Sequence, residues 1–202
     1  MQLPNWETVK QTARARLQRD LPTQLTYHAI RHTMEDVLPA AERLATLAGV
    51  DGEALLLLRT AAVYHDIGYT EQYFSNEPIA VRIAYEVLPA FGFSPAQLTV
   101  IEGLILATRM PQCPQTPLEE LLCDADMDSL GRDDYWATSL ALREELSRQL
   151  VVVELPVWIA RQHTFLSGHT YFTTAARQLR DAKKAENIAM LKGWMDNGYR
   201  EA

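Results

Sequence analysis

The stretch Val63-Tyr64-His65-Asp66-Ile67-Gly68 ends an apolar run that starts at Ala54 and is broken only by Arg59 and Thr60. A run of this kind predicts a helix buried on most sides. Gly68 is the residue type expected where such a helix stops. An imidazole and a carboxylate at the rim of a core element are costly if buried without partners. His65 and Asp66 therefore call for mutual pairing, other partners or a metal. Candidates stand at a distance in the chain: His28 and His32 upstream, Asp124 and Asp126 downstream.

Outward from that helix the periodicity stays helical. Trp6, Val9, Ala13 and Leu17 form a stripe behind a capping Asn5, and Pro22 ends the element. His28 and His32 are four apart, which on a helix places them on one face. Val37, Ala41, Leu44, Ala45 and Ala48 continue an apolar stripe, with Pro39 predicting a kink or a restart. Asp51 stands where the leucine-rich helix needs its cap. Ile79, Ile83 and Val87 mark a further helix, and Ser94-Pro95-Ala96-Gln97 and Thr116-Pro117-Leu118-Glu119 are helix starts. Trp136, Leu140, Leu142 and Leu146 predict the next. Val151-Val152-Val153 has strand propensity but precedes Pro156 in helical context, at the start of a helix over Val157–Leu166. Gly168 to Met195 reads as one long amphipathic helix. The expectation is all-α: a single domain over 1–202, a bundle of about eight helices with short capped connections.

Composition excludes several classes. Of 202 residues, 48% are hydrophobic and 22% charged, with a formal net charge of -7, so an extended nucleic-acid-binding surface is not expected. No run approaches the ~18 apolar residues of a membrane span, and the N-terminal stretch has no signal core. Cys113 and Cys123 make no metal or disulfide pattern, which points to a reducing, cytoplasmic setting.

His32, His65, Asp66 and an aspartate of the Asp124-Ala125-Asp126 turn form a mixed nitrogen and oxygen ligand set on three helices. Such ligands suit Mn, Fe, Ni, Co, Zn or Mg. The order His, His-Asp, distant Asp resembles the HD superfamily of metal-dependent phosphohydrolases over roughly Tyr27 to Gly131, with 132–202 as C-terminal helices. The resemblance implies an HD-type helical fold with His32, His65, Asp66 and Asp126 as ligands, Asp126 rather than Asp124 because the family's last ligand sits in an Ala-Asp dipeptide. It also implies that the lack of histidine between Asp66 and Asp124 leaves one divalent metal rather than two. Tyr27-His28-Ala29-Ile30-Arg31-His32 is similar to the Tyr-His-Asn-x-x-His segment of cyclic nucleotide phosphodiesterases, which makes His28 the candidate general acid. Position 29 is alanine here, and position 69, lysine in some members, is Tyr69.

Glu71 and Glu77 are candidates to orient water. Arg31 and Arg109 are candidates to neutralise phosphoryl oxygens, with Arg177 and Lys184 behind them. His169 is a candidate pocket residue by the same resemblance, and His163 reads as structural. The expected activity is hydrolysis of a phosphomonoester or phosphodiester, of a nucleotide, by metal-activated water. The alternative is a nucleotide- or metal-binding sensor on the same fold. The partner is a small phosphorylated substrate rather than a membrane.

Overall fold

The computed structural model describes residues 3–149 and 152–198. Among them are nine α-helices and no strand: α1 Trp6–Asp20, α2 Leu38–Ala48, α3 Gly52–Tyr64, α4 Asn76–Val87, α5 Pro95–Ala107, α6 Pro117–Asp126, α7 Tyr135–Gln149, α8 Leu155–Gly168 and α9 Thr174–Asp196. Of the valine run, Val151 lies outside the described residues, and Val152 and Val153 belong to neither helix nor strand. Pro156 sits in the first turn of α8, as the sequence predicts.

α3 is the axis of the bundle and packs against α1, α2, α5 and α6. Leu56, Leu57, Leu58, Ala61, Ala62 and Val63 are buried around its circumference. The two polar interruptions of the run are satisfied locally. Thr60 Oγ1 donates to the Leu56 carbonyl at 2.8 Å, and Arg59 pairs with Glu42 of α2 at 2.7 Å while lying over the Trp6 ring. Asp51 occupies the cap position of α3 but makes no side-chain cap bond, whereas Asn5, Ser94 and Thr116 do cap their helices.

Gly68 is not there for conformational freedom. It lies in a 3-10 turn, Ile67–Thr70, against the start of α4, where an added Cβ would stand 2.0 Å from the Asn76 carbonyl oxygen. A side chain at 68 would push α4 away from the end of α3, so the glycine sets how closely the two can approach.

The segment before α2 departs from expectation. Residues 26–29 form a bend, helix begins at Ile30, and His32–Val37 is a π-helical turn in which Leu38 N–H donates to the Thr33 carbonyl five residues back. Pro39, which has no N–H, follows it in the first turn of α2. On an unbroken α-helix, at about 100° per residue, Leu44 would fall about 120° round from His32. The extra residue taken up by the π turn removes about one residue of rotation, so that both face inward. His32, Val37, Ala41 and Leu44 are all buried.

Candidate active site

The ligand set is assembled at three helix ends. His32 opens the π turn, His65 and Asp66 continue α3, and Asp126 is the last residue of α6. The ligand atoms of His32, His65 and Asp66 lie within 4.8 Å of one another. Asp126 Oδ1 is 3.2 Å from His32 Nε2 and 3.5 Å from His65 Nε2, and Asp66 Oδ2 is 3.2 Å from His65 Nε2 and 3.5 Å from His32 Nε2. Donor atoms that share one cation at roughly 2.0–2.2 Å stand about 2.8–3.6 Å apart. The observed spacing matches that range.

The protonation pattern supports the same reading. His65 Nδ1 donates to the Ala62 carbonyl at 2.8 Å, which fixes the ring and leaves the Nε2 lone pair facing Asp66. His65 Nε2 and Asp66 Oδ2 are both buried without a hydrogen-bond partner. Two buried acceptors aimed at each other need a positive charge between them. The field acts on protons in the same sense. Burial lowers the His65 pKa, but Asp66 and Asp126 overcome it and lift the imidazole well above its usual value. Burial acts upward on Asp126, yet the hydrogen bonds and charges of His32 and His65 take it well below the carboxylate range. The residues present therefore fit a divalent cation.

Asp124, two residues from Asp126, faces away. It accepts Phe172 N–H and Thr173 N–H, each at 2.8 Å, and the Thr173 hydroxyl at 2.7 Å, anchoring the approach to α9.

His28 lies in the bend, not on a helix with His32, yet the two rings stay 6.0 Å apart. Its Nδ1 meets Glu145 Oε1 of α7 at 2.5 Å, and its Nε2 lies 3.2 Å from the Tyr69 hydroxyl. Glu145 is fully buried and also accepts Tyr27 N–H at 2.8 Å, His28 N–H at 3.0 Å and the Tyr73 hydroxyl at 3.1 Å. Burial lowers the His28 pKa, but the hydrogen bond it donates to Glu145 and the charges of Asp66, Glu145 and Asp126 raise it on balance. The imidazole is thus held in one orientation by Glu145, with Nε2 turned toward the Tyr69 hydroxyl. Glu145 and Tyr73 were not candidates from the sequence. Glu145 left one signal, a carboxylate three residues after Leu142 on the apolar side of α7.

A cavity of about 670 Å³ runs from Asp66, Asp126 and His28 to walls built by residues 69–77, α7 and α8. Arg109 and Glu77 line it. Arg31 does not: its side chain is 64% exposed and lies 3.6 Å from Asp134. Glu71 is held outside the cavity by Arg16 at 2.6 Å and by Arg82. Arg177 donates to the Tyr171 and Phe172 carbonyls, and Lys184 to the His169 carbonyl at 2.6 Å, so both secure the chain around α9. His169 packs against Tyr171, and neither it nor His163 is among the cavity walls. Burial raises the pKa of the Cys123 thiol, which donates to the Ala107 carbonyl, while Cys113 is exposed.

Fold and site together define an all-α protein with a buried cluster of histidines and aspartates, able to hold a metal, at one end of a cavity. No family model and no curated protein sequence matches the chain. Two solved structures share its fold. One is a predicted HD superfamily hydrolase from an uncultured Thermotogales bacterium, with TM-score 0.64 and 18% identity over 96% of this chain and 93% of that one. The other is a protein of Lactobacillus plantarum, with TM-score 0.62 and 18% identity over 95% and 98% of the two chains. The chain thus shares the helical fold of these two structures over essentially its whole length. Among the described residues no helix is long and apolar enough to cross a membrane.

Proposed function

We propose that the protein is a metal-dependent phosphohydrolase that cleaves a phosphomonoester or phosphodiester of a nucleotide, with His32, His65, Asp66 and Asp126 holding one divalent metal. The observation that carries this reading is the proximity of two unlike devices at one cavity: a ligand cluster with unpartnered acceptors and a buried His28–Glu145 pair. When bound, a divalent metal supplies activated water and withdraws charge from a phosphoryl oxygen. Within that setting His28, steadied by Glu145, gives its Nε2 proton to the leaving oxygen. One water is consumed: its oxygen bonds to phosphorus as the phosphorus–leaving-group bond breaks, and the proton it releases restores His28. Arg109, on the cavity wall, is placed to meet charge on the nonbridging oxygens. Arg31 and Glu71 have no part in this scheme, because their side chains are committed elsewhere. A cytoplasmic setting belongs to the same proposal and rests on two free thiols.

The test has two stages. Elemental analysis of washed protein should give one metal per chain, and His32→Ala should lose it. A phosphate-release screen over nucleotides with Mn, Fe, Ni, Co, Zn or Mg should then find turnover that His32→Ala lacks. Bound nucleotide with metal in place but no turnover of any ester would replace this proposal with the sensor reading.

A further inference from the structure

The His28 ring is enclosed by tyrosines. Tyr69 stacks on it with centroids 4.3 Å apart, Tyr27 stands edge-on at 4.7 Å, and Tyr73 stands edge-on at 6.4 Å. Both imidazole nitrogens are engaged. Nδ1 meets Glu145, and Nε2, the atom that has a proton to deliver, meets the Tyr69 hydroxyl at 3.2 Å. A hydrogen bond has one preferred direction, so a leaving oxygen reaches that proton either by displacing the hydroxyl or through it.

The tyrosines beside this pair differ in what they have left to give. Tyr73 spends its hydroxyl proton on Glu145 at 3.1 Å. Tyr69 Oη makes no other hydrogen bond among the described residues. When His28 carries a proton on Nε2, Tyr69 Oη accepts it, and the hydroxyl proton of Tyr69 is left uncommitted. Tyr69 is half-buried and lines the cavity together with Asp66 and Asp126. Its placement is tied to the candidate ligands. The Tyr69 N–H donates to the Asp66 carbonyl at 3.1 Å, and the 3-10 turn that carries it is pressed against Asn76 at Gly68. One close-packed turn thus presents both a candidate ligand and an unspent hydroxyl to the same space.

We propose, resting on the hydrolase reading, that Tyr69 is a catalytic residue that relays the proton: its hydroxyl, rather than His28 Nε2, touches the leaving oxygen. As the phosphorus–oxygen bond breaks, the electron pair left on the departing oxygen takes the Tyr69 hydroxyl proton, and Tyr69 Oη takes the Nε2 proton of His28. Tyr69 starts and ends as a neutral phenol, and His28 ends as a neutral imidazole. The proton released by the attacking water restores His28. A phenol alone, titrating near pH ~10, is a weak donor at neutrality, and the simultaneous gain of a proton from imidazolium removes that handicap.

The experiment is steady-state kinetics of the metal-loaded protein on propyl phosphate and p-nitrophenyl phosphate. Tyr69→Phe keeps the ring that stacks on His28 and removes only the hydroxyl. It should lower turnover of the propyl ester by about 10²–10⁴-fold, as loss of a general acid does, and that of the p-nitrophenyl ester far less. Metal content should match the parent protein. Tyr69→Phe combined with Glu145→Gln should be no slower on the propyl ester than the slower single variant, because the two interrupt one path. Unaltered turnover in Tyr69→Phe, equal losses on the two esters, a fall in bound metal, or losses that multiply in the double variant would overturn the relay. Parent protein that cleaves the p-nitrophenyl ester but no alkyl ester would also overturn it and leave the hydrolase reading standing. Parent protein that cleaves no phosphate ester would defeat the hydrolase reading and the relay with it.

Discussion

Replacing Glu145 by glutamine isolates the proton donor from the metal. The carboxylate accepts four donors, two backbone N–H groups on Oε2 and His28 Nδ1 with Tyr73 OH on Oε1. Glutamine can keep its oxygen on the backbone pair and turn its N–H₂ toward the side chains. Tyr73 can reverse its hydroxyl, and His28 can accept at Nδ1 by moving its proton to Nε2. Every hydrogen bond then survives, at a stability cost of about 1–3 kcal/mol. The negative charge that stabilises the imidazolium does not. The His28 pKa falls, because burial is then opposed only by Asp66 and Asp126, and less of the ring carries the proton to be donated. A positioned general acid contributes about 10²–10⁴-fold, or roughly 3–5 kcal/mol of barrier. Steady-state kinetics on metal-loaded Glu145→Gln should show a loss in that range with alkyl phosphate esters. The loss should be much smaller with p-nitrophenyl phosphate, whose leaving group needs little protonation. Metal content should match the parent protein. Equal losses on both esters, or a fall in bound metal, would show that Glu145 supports the site as a whole and not the acid.

Asp124→Asn should keep the metal but lower stability by about 2–4 kcal/mol in urea unfolding, because three donors lose a charged acceptor; loss of metal at normal stability would move the ligand role to Asp124. Gly68→Ala should destabilise by about 1–3 kcal/mol or more, since its Cβ meets backbone of α4 rather than a movable side chain; a neutral effect would mean that α4 is loosely seated. Burial and the nearby Lys184 lower the His169 pKa from 6.5 to about 4. Its contribution is therefore full above pH 6.5 and lost as the pH falls toward 4, because the unfolded chain takes up the proton first. The urea midpoint should drop across that window in the parent and less steeply in His169→Gln, and parallel curves would refute the assignment.

The helical class could be read from sequence because each element carries its own stripe and cap, and those signals are local. The His65-Asp66 pair was visible for the same reason: it closes the most apolar helix of the chain. Asp126 and His32 required three helix ends to converge, which periodicity does not specify, and the pattern of an entire family supplied what spacing alone did not. Glu145 left only its place on the apolar side of α7 as a signal, because its contacts are with Tyr27, His28 and Tyr73, the first two more than a hundred positions earlier. Arg31 and Glu71 had the right charge, but nearer partners claimed them. The π turn at His32 was only hinted at by Pro39, since what demands it is the joint requirement that a ligand and a core stripe face the same way.

The hydrogen bonds that the Tyr27 and His28 N–H groups donate to Glu145 divide the molecule by inheritance. The candidate metal ligands all lie at or before Asp126, while the carboxylate that holds His28 comes from α7 and Trp158 and Phe165 of the cavity wall come from α8. Substitutions confined to α7 and α8 can therefore change the surroundings of His28 and the cavity wall while the candidate ligands stay as they are.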